Sequence, residues 1–299
     1  MRIRQTQLWT SSAADSAEPV RNFLIADVFT DTPLEGNQLG IFPDGRWLND
    51  ELMLKVAREM SYSETAFFLP PEVPGADARV RIFTPGGELP FGGHSTLGSG
   101  WVLGAMLGKR TVTLQLGVGL VPVELENEGD EIIFGRMSQP IPTWGEYDRS
   151  AIFLALCTTG KSGGLPVEWY QNGTLNVYVE VKNEEALNDI EPDMQKLARL
   201  PVSVTCFAQT PGGWSIRMFA HAVGIVEDAA SGSAAGPLAV HLARHGRIKF
   251  GEQIEIRQGT RIHRPSVLYA QADGTENAVE RVLVGGRVVA VAHGEYQLS

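Results

Sequence analysis

The chain has 299 residues, of which 43% are hydrophobic and 20% charged, a composition that builds a folded globular protein and excludes a disordered one. At this length two domains are expected, with a core large enough to fold without a disulfide or metal staple. The 25 Lys and Arg against 35 Asp and Glu leave a formal charge of -10, so neither nucleic acid nor an anionic membrane surface is expected as a partner.

Met1 to Val20 is polar and has no apolar stretch, which predicts a loose N-terminal extension over residues 1–20 and not a signal peptide. No run approaches the roughly 18 apolar residues that cross a bilayer, and a cytoplasmic location is expected. Asn22 to Phe29 predicts a first strand, closed by Asp31-Thr32-Pro33. Leu39 to Phe42 predicts a short strand before the turn Pro43-Asp44-Gly45. Asn49 then opens a helix as N-cap, with Leu52, Leu54, Val56 and Met60 on its apolar positions. Strands are expected at Glu64 to Leu69 and Arg79 to Phe83. The Gly-rich loop Gly86 to Gly93 leads into a small-residue helix, Ser95 to Leu107, which Gly108 ends. Thr111 to Leu116 and Leu120 to Asn127 follow as strands. Polar residues at 128–131 and Pro140-Ile141-Pro142 put a domain junction within 128–150. The expected division is a first domain over 21–130 and a second over 131–287, with the last strand, near 288–299, packing back on the first.

The second half repeats the first. Arg81-Ile82-Phe83-Thr84 begins a segment that ends PFGGHSTLGSGWVLGAMLG, and Arg217-Met218-Phe219-Ala220 begins one that ends VEDAASGSAAGPLAVHLARHG. Each continues into a strand, a Gly-containing turn and another strand. A pseudo-symmetric pair of α+β domains accounts for this. Gly92-Gly93-His94-Ser95-Thr96 and Ser231-Gly232-Ser233-Ala234 each sit where a loop enters a helix. The first N–H groups of a helix lack internal partners and carry about half a positive charge. Two such ends facing each other suit a carboxylate or an oxyanion; plain helix capping is the other reading. No GxxxxGK[ST] occurs, and Gly98, Gly100 and Gly104 lie inside the helix, so nucleotide binding is not expected.

Few residues can carry acid/base chemistry. Glu64 precedes Ala66-Phe67-Phe68-Leu69; against that apolar run its carboxyl loses hydration and becomes a proton shuttle, or else it is an exposed glutamate at a strand edge. His94 is a hydrogen-bond or proton donor, or a structural cap. Asp228 orients His94 or a substrate amine, or caps the second loop. His241 and His245 have the i, i+4 spacing of a metal pair, but no third ligand is visible, and a cation near a helix C-terminus explains them. Cys157 and Cys206 stand far apart and are expected as two buried thiols, with no zinc site. Asn172-Gly173-Thr174 fits a glycosylation sequon that a cytoplasmic chain would not use. Ser231 lacks the GxSxG context of a nucleophile.

With these residues in view the chain resembles the PhzF family of phenazine biosynthesis. The resemblance rests on Glu64 in SETAFF, on RIFTPGGELPFGGHSTLG, on SQPIPTW (Ser138 to Trp144) and on VEDAASGSAAGPLAVHLARHG, and runs from about Asn22 to about Gly274. It implies the diaminopimelate-epimerase-like fold, two pseudo-symmetric α+β domains, each a sheet wrapped around a central helix, with the site between them. It also implies a cofactor-independent homodimer with no metal. Epimerases of this fold carry a cysteine in each loop; here those positions fall among His94 and Gly232-Ser233, which excludes a two-thiol racemase. The implied substrate is trans-2,3-dihydro-3-hydroxyanthranilate. Glu64 would move a proton from its C3 to C1, giving an enol that becomes the ketone 6-amino-5-oxocyclohex-2-ene-1-carboxylate. His94 and Asp228 would assist, with Gly93, Ser95, Gly232 and Ser233 binding substrate. The family commonly has Pro where Gln38 and Ser95 stand and Thr where Ser231 stands. Two further readings stay open: the same chemistry on another small amino or hydroxy acid, and a non-catalytic binding protein on this scaffold.

Overall fold

One strand order occurs twice in the computed structural model, which describes residues 22–157 and 163–297. The expected extension over residues 1–20 lies outside the described residues. The first copy runs β1 (Asn22–Val28), β2 (Asn37–Phe42), α1 (Asp50–Met60), β3 (Glu64–Leu69), β4 (Ala78–Thr84), β5 (Gly87–Leu89), α2 (Gly93–Leu107), β6 (Thr111–Leu116), β7 (Gly119–Glu128) and β8 (Glu131–Gln139). A strand β9 (Thr143–Glu146) and a helix α3 (Arg149–Leu156) lead into the second. That copy runs β10 (Glu168–Gln171), β11 (Leu175–Glu180), α4 (Glu184–Asn188), α5 (Met194–Leu197), β12 (Ser203–Thr210), β13 (Gly213–Ala220), β14 (Ile225–Asp228), α6 (Gly232–Arg244), β15 (Gln253–Gln258), β16 (Ser266–Thr275) and β17 (Ala278–Gly286). β18 (Val288–Glu295) closes the chain.

The two copies pair alike. β1–β2 is antiparallel, β2–β3 parallel, β3–β4 antiparallel, β4–β6 parallel, and β6–β7 and β7–β8 antiparallel. The series β10–β11, β11–β12, β12–β13, β13–β15, β15–β16 and β16–β17 repeats those senses in order. The copies are laced together in three places. β8 pairs with β17, β9 with β10, and β18 returns to β1. The polar segment at 128–131 is the tight turn between β7 and β8, where Glu128 opposes Glu131.

Each sheet curls around one helix, which gives the α+β class. All of α2 is buried except Trp101, Ala105 and Leu107, and all of α6 except Arg244. A helix apolar on every side has to be surrounded. Glycines let the strands close in: a Cβ on Gly98 would lie 2.6 Å from Leu39 Cδ2, and one on Gly100 would lie 2.7 Å from Val123 Cγ1. The other helices pack outside. Asn49 caps α1 by accepting from the Leu52 N–H at 2.9 Å. The buried face of α1 is Met53, Val56 and Ala57, whereas Leu52, Leu54 and Met60 pack only at its margin. Val56 is thus buried as expected, and Met53 and Ala57 take the buried places expected of Leu52, Leu54 and Met60. The cysteines also differ from expectation: Cys206 is buried in β12, but Cys157 is exposed, in the left-handed position that ends α3. Among the described residues no helix is long and apolar enough to cross a membrane.

Replacing Gly100 by alanine should therefore overpack the α2–β7 contact and cost about 1–3 kcal/mol. The check is a lowered urea midpoint; an unchanged midpoint would mean that Val123 yields freely.

Candidate active site

The N-termini of α2 and α6 meet head to head. A Cβ on Gly93 would fall on the backbone nitrogen of Ser233 and on Gly232, and one on Gly232 would come 3.0 Å from Gly93, Met137 Cε and Phe29 Cζ. Only glycine lets two backbones approach so closely. Neither N-cap side chain, at Gly92 or Ser231, caps its helix, so the first-turn N–H groups keep their partial positive charge for whatever lies between. In α2 the hydroxyls of Thr96 and Ser95 instead bond back to the Gly92 carbonyl, at 2.6 and 3.1 Å.

Glu64 opens β3 directly beside this junction, and it is only 8% exposed. The Ser95 hydroxyl donates to its Oε2 at 2.5 Å, and His94 Nδ1 stands 3.5 Å from the same oxygen. The backbone of Gly92 lies so close to the carboxyl that a Cβ there would overlap Oε2. Burial pushes the pKa of Glu64 above its ordinary range; the Ser95 hydrogen bond opposes the rise, and the charge of Asp228 adds to it. The exposed-edge reading of Glu64 is thereby replaced: the carboxyl is buried, and burial favours its protonated form.

Asp228 ends β14 on the other side. Its Oδ1 accepts from Asn37 Nδ2 at 2.8 Å, and its Oδ2 from the Ser231 hydroxyl. Gln258 braces this turn, donating to the Asp228 carbonyl at 2.7 Å and to Ser231 Oγ at 3.0 Å and accepting from Ser231 N–H at 2.8 Å. Asn37 links the two sides. Its Nδ2 also donates to the Ala230 carbonyl at 2.9 Å, and its Oδ1 accepts from the Ser63 hydroxyl at 2.9 Å. Ser63 Oγ in turn lies 3.4 Å from His94 Nε2. The carbonyls of Gly232 and Ser233 are held by Gln139 Nε2 at 2.8 Å and Asn172 Nδ2 at 3.1 Å, so the sequon asparagine is buried structure.

The structure thus brings Glu64, Gly93, His94 and Ser95 from one copy against Asp228, Gly232 and Ser233 from the other. His94 is buried between Ser63 and Glu64, and Ser95 spends its hydroxyl on Glu64 and Gly92. Sequence reasoning missed Asn37, Ser63, Gln139, Asn172 and Gln258. No spacing rule marks them, since Asn37 and Ala230 lie 193 positions apart. The arrangement offers a buried acid/base, Glu64, beside two helix ends that no side chain caps. It can move a proton while the N–H groups take up the negative charge that develops.

A second cluster lies at the far end of α6. His241 and His245 do find a third partner there, Glu168, whose Oε2 is 3.1 Å from a ring nitrogen of each, with all three ligand atoms within 4.8 Å of one another. The same oxygen receives Tyr170 Oη at 2.7 Å and Arg244 Nη1 at 2.8 Å. Burial raises the pKa of Glu168, but the bonds from His241, Tyr170 and His245 and the charge of Arg244 outweigh it and hold the carboxyl well below the usual range. A metal ion at this oxygen would sit against a guanidinium. The cluster is an ion-paired anchor for the α6 C-terminus.

A family model described as phenazine biosynthesis-like protein, PhzC-PhzF, matches residues 26–294. The chain is 44% identical over 280 residues to the trans-2,3-dihydro-3-hydroxyanthranilate isomerase of Pseudomonas aeruginosa, covering 93% of this chain and 100% of that one. The PhzF-family phenazine biosynthesis protein of Bacillus anthracis has a similar structure, with TM-score 0.80 at 26% identity over 94% of this chain and 100% of that one. So has a predicted epimerase of Pseudomonas aeruginosa, with TM-score 0.78 at 31% identity over 93% and 100%.

The raised pKa of Glu64 makes a stability prediction. A carboxyl with a higher pKa folded than unfolded contributes most below its unfolded value, and the contribution is lost as pH rises toward its folded value. Glu64→Gln should therefore gain stability over the parent as pH climbs from 4 to 8, read as a growing difference in urea midpoints. A difference that stays flat with pH would show Glu64 to be ionised at no cost.

Proposed function

Because the chain belongs to the PhzC-PhzF family of phenazine biosynthesis-like proteins, we propose that it is an isomerase that converts trans-2,3-dihydro-3-hydroxyanthranilate to its ketone isomer. The observation that carries the mechanism is the buried Glu64 carboxyl beside two unfilled helix N-termini. Ionised Glu64 takes the proton from C3 of the ring. The electron pair shifts through the conjugated diene toward C1 and its carboxylate, and the N–H groups near Gly93, Gly232 and Ser233 receive the added charge. Glu64 then returns the proton at C1, the resulting enol tautomerises, and no atom is gained or lost. Asp228 holds the substrate's amine against this shift. One carboxyl serves as base and then as acid, so a single group accounts for both proton transfers.

Ser95 tunes the shuttle. Its bond to Oε2 favours the carboxylate, so the hydroxyl keeps Glu64 ionised at lower pH than burial alone would allow. The reading takes the protein as a cytoplasmic homodimer, independent of cofactors, whose two copies of the fold act as domains about 21–130 and 131–287.

Proton NMR of the substrate with purified protein in D₂O tests the reaction: the C3 signal should disappear as the ketone grows in, and deuterium at C1 measures exchange of the shuttle with solvent. Glu64→Gln should lower turnover by at least about a hundredfold while the protein stays folded; near-normal turnover would sink the mechanism. Ser95→Ala should move the acid limb of kcat/KM to higher pH, since it removes a bond that favours the charged form; an unmoved limb would deny Ser95 this role.

A further inference from the structure

We infer that Asn37 and Ser63 fix the tautomer of His94, so that the bare Nδ1 of the neutral ring faces Glu64. The effect on turnover rests on the proposed role of Glu64, whereas the tautomer does not. Asn37, Ser63 and His94 form one chain of polar contacts from the Ala230 carbonyl to Glu64.

It begins at an acceptor whose identity is beyond choice. The Ala230 carbonyl can only accept, so the amide atom of Asn37 that lies 2.9 Å from it is the nitrogen, and that nitrogen also serves Asp228 Oδ1 at 2.8 Å. The remaining amide atom is therefore the oxygen, which can only accept. Ser63 Oγ, 2.9 Å away, must then donate to it. A hydroxyl has a single proton, so Ser63 has only lone pairs to offer His94. The ring nitrogen that faces it, Nε2 at 3.4 Å, has to be the one carrying hydrogen. A neutral imidazole bears one N–H, which leaves Nδ1 bare, 3.5 Å from Glu64 Oε2.

The orientation has a consequence for the acid/base. An Nδ1–H would donate to the Glu64 carboxylate, stabilise its charge and weaken it as a base. A bare Nδ1 sets a lone pair against the charged carboxylate and accepts from the protonated one, so it favours proton uptake from a substrate. Glu64 and, through Asn37 and Ser63, Asp228 are the charged groups that bear on His94 in this network. Asn37 and Ser63 are positioning residues: they act on Glu64 only through the histidine.

The test is a long-range ¹H–¹⁵N correlation spectrum of the ¹⁵N-histidine protein between pH 6 and 9, with His94 assigned by its loss in His94→Gln. The expected result is an Nε2–H ring at the upper end of that range. Ser63→Ala removes the acceptor, and a substantial Nδ1–H population should emerge, while Ser63→Thr and Asn37→Asp, which leaves an oxygen to take the Ser63 proton, keep the parent tautomer. Unshifted signals from the remaining histidines establish that the variants are folded. Turnover by Ser63→Ala should fall roughly ten- to a hundredfold in kcat with little change in KM. An Nδ1–H ring in the parent protein, an imidazolium that persists to pH 9, or an Nε2–H ring that survives Ser63→Ala would each overturn the inference. A tautomer that moves without a fall in kcat would overturn its catalytic consequence. Absence of turnover in the parent, with the tautomer as expected, would instead refute the proposed substrate.

Discussion

The contact between the backbones of Gly93 and Gly232 is the constraint on which the rest of the molecule depends. Two helices arrive at it with their positive ends foremost, about half a unit charge each, and such an approach is unfavourable unless something negative lies nearby. Glu64 and Asp228 supply it. Burying a carboxylate in an apolar interior is expensive, and here the helix ends and the hydroxyls of Ser95 and Ser231 offset part of that cost. The offset is incomplete at Glu64, whose pKa stays raised. An incompletely stabilised carboxylate suits the proposed proton shuttle, so on that proposal the packing problem at the helix junction and the chemistry of the site have one solution.

The site is assembled across the two copies of the fold, and the seams between them set its geometry. Arg264, from the second copy, reaches into the loop before β2. Its guanidinium pairs with Asp27 at 2.6 Å and donates to the carbonyls of Leu34, Glu35 and Gly36 at 2.7, 2.7 and 2.8 Å. Gly36 N–H completes the clasp by donating to the Pro265 carbonyl at 3.0 Å. The next residue is Asn37. A planar fork with four acceptors thus delivers the one amide that joins Asp228 to Ser63, and the strand seams β8–β17 and β18–β1 hold the frame around it.

How much of this was legible in the sequence follows from the range of each interaction. Glu64 to Leu69 and Thr111 to Leu116 emerge with the expected bounds, because a local apolar pattern between turn residues suffices to define them. The Asn49 cap and the Gly108 stop are likewise local, as is the repeat that reveals two copies of one unit. The Gly/Ser loops mark the helix ends but not that the ends meet. The face of α1 was misjudged because Leu52 and Leu54 flank the buried stripe that Met53, Val56 and Ala57 form. Exposure of Cys157 depends on where α3 ends, and the third partner of the histidine pair, Glu168, is 73 residues from His241. Asn37 and Gln258 carry no mark of their own, and Ser63 stands in SETAFF with nothing to show its role, since each becomes significant only through a partner that folding brings to it.

The anchor at Glu168 completes the account of α6. A carboxylate near a helix C-terminus opposes the dipole, so its presence there calls for compensation. Arg244 from the last turn and His245 at the C-cap, with Tyr170 from β10, converge on one of its oxygens, and burial lowers the pKa of His241. The last turn of α6 is thereby tied to the strand beneath it. At its first turn, Ser233 lies in van der Waals contact with Gly93, and a slide of the helix along its axis would either open that junction or drive the backbones together. Fixing one end of a rigid rod fixes the other. The ion-paired cluster therefore acts on the helix junction without touching it, holding the register in which Gly93 and Gly232 meet.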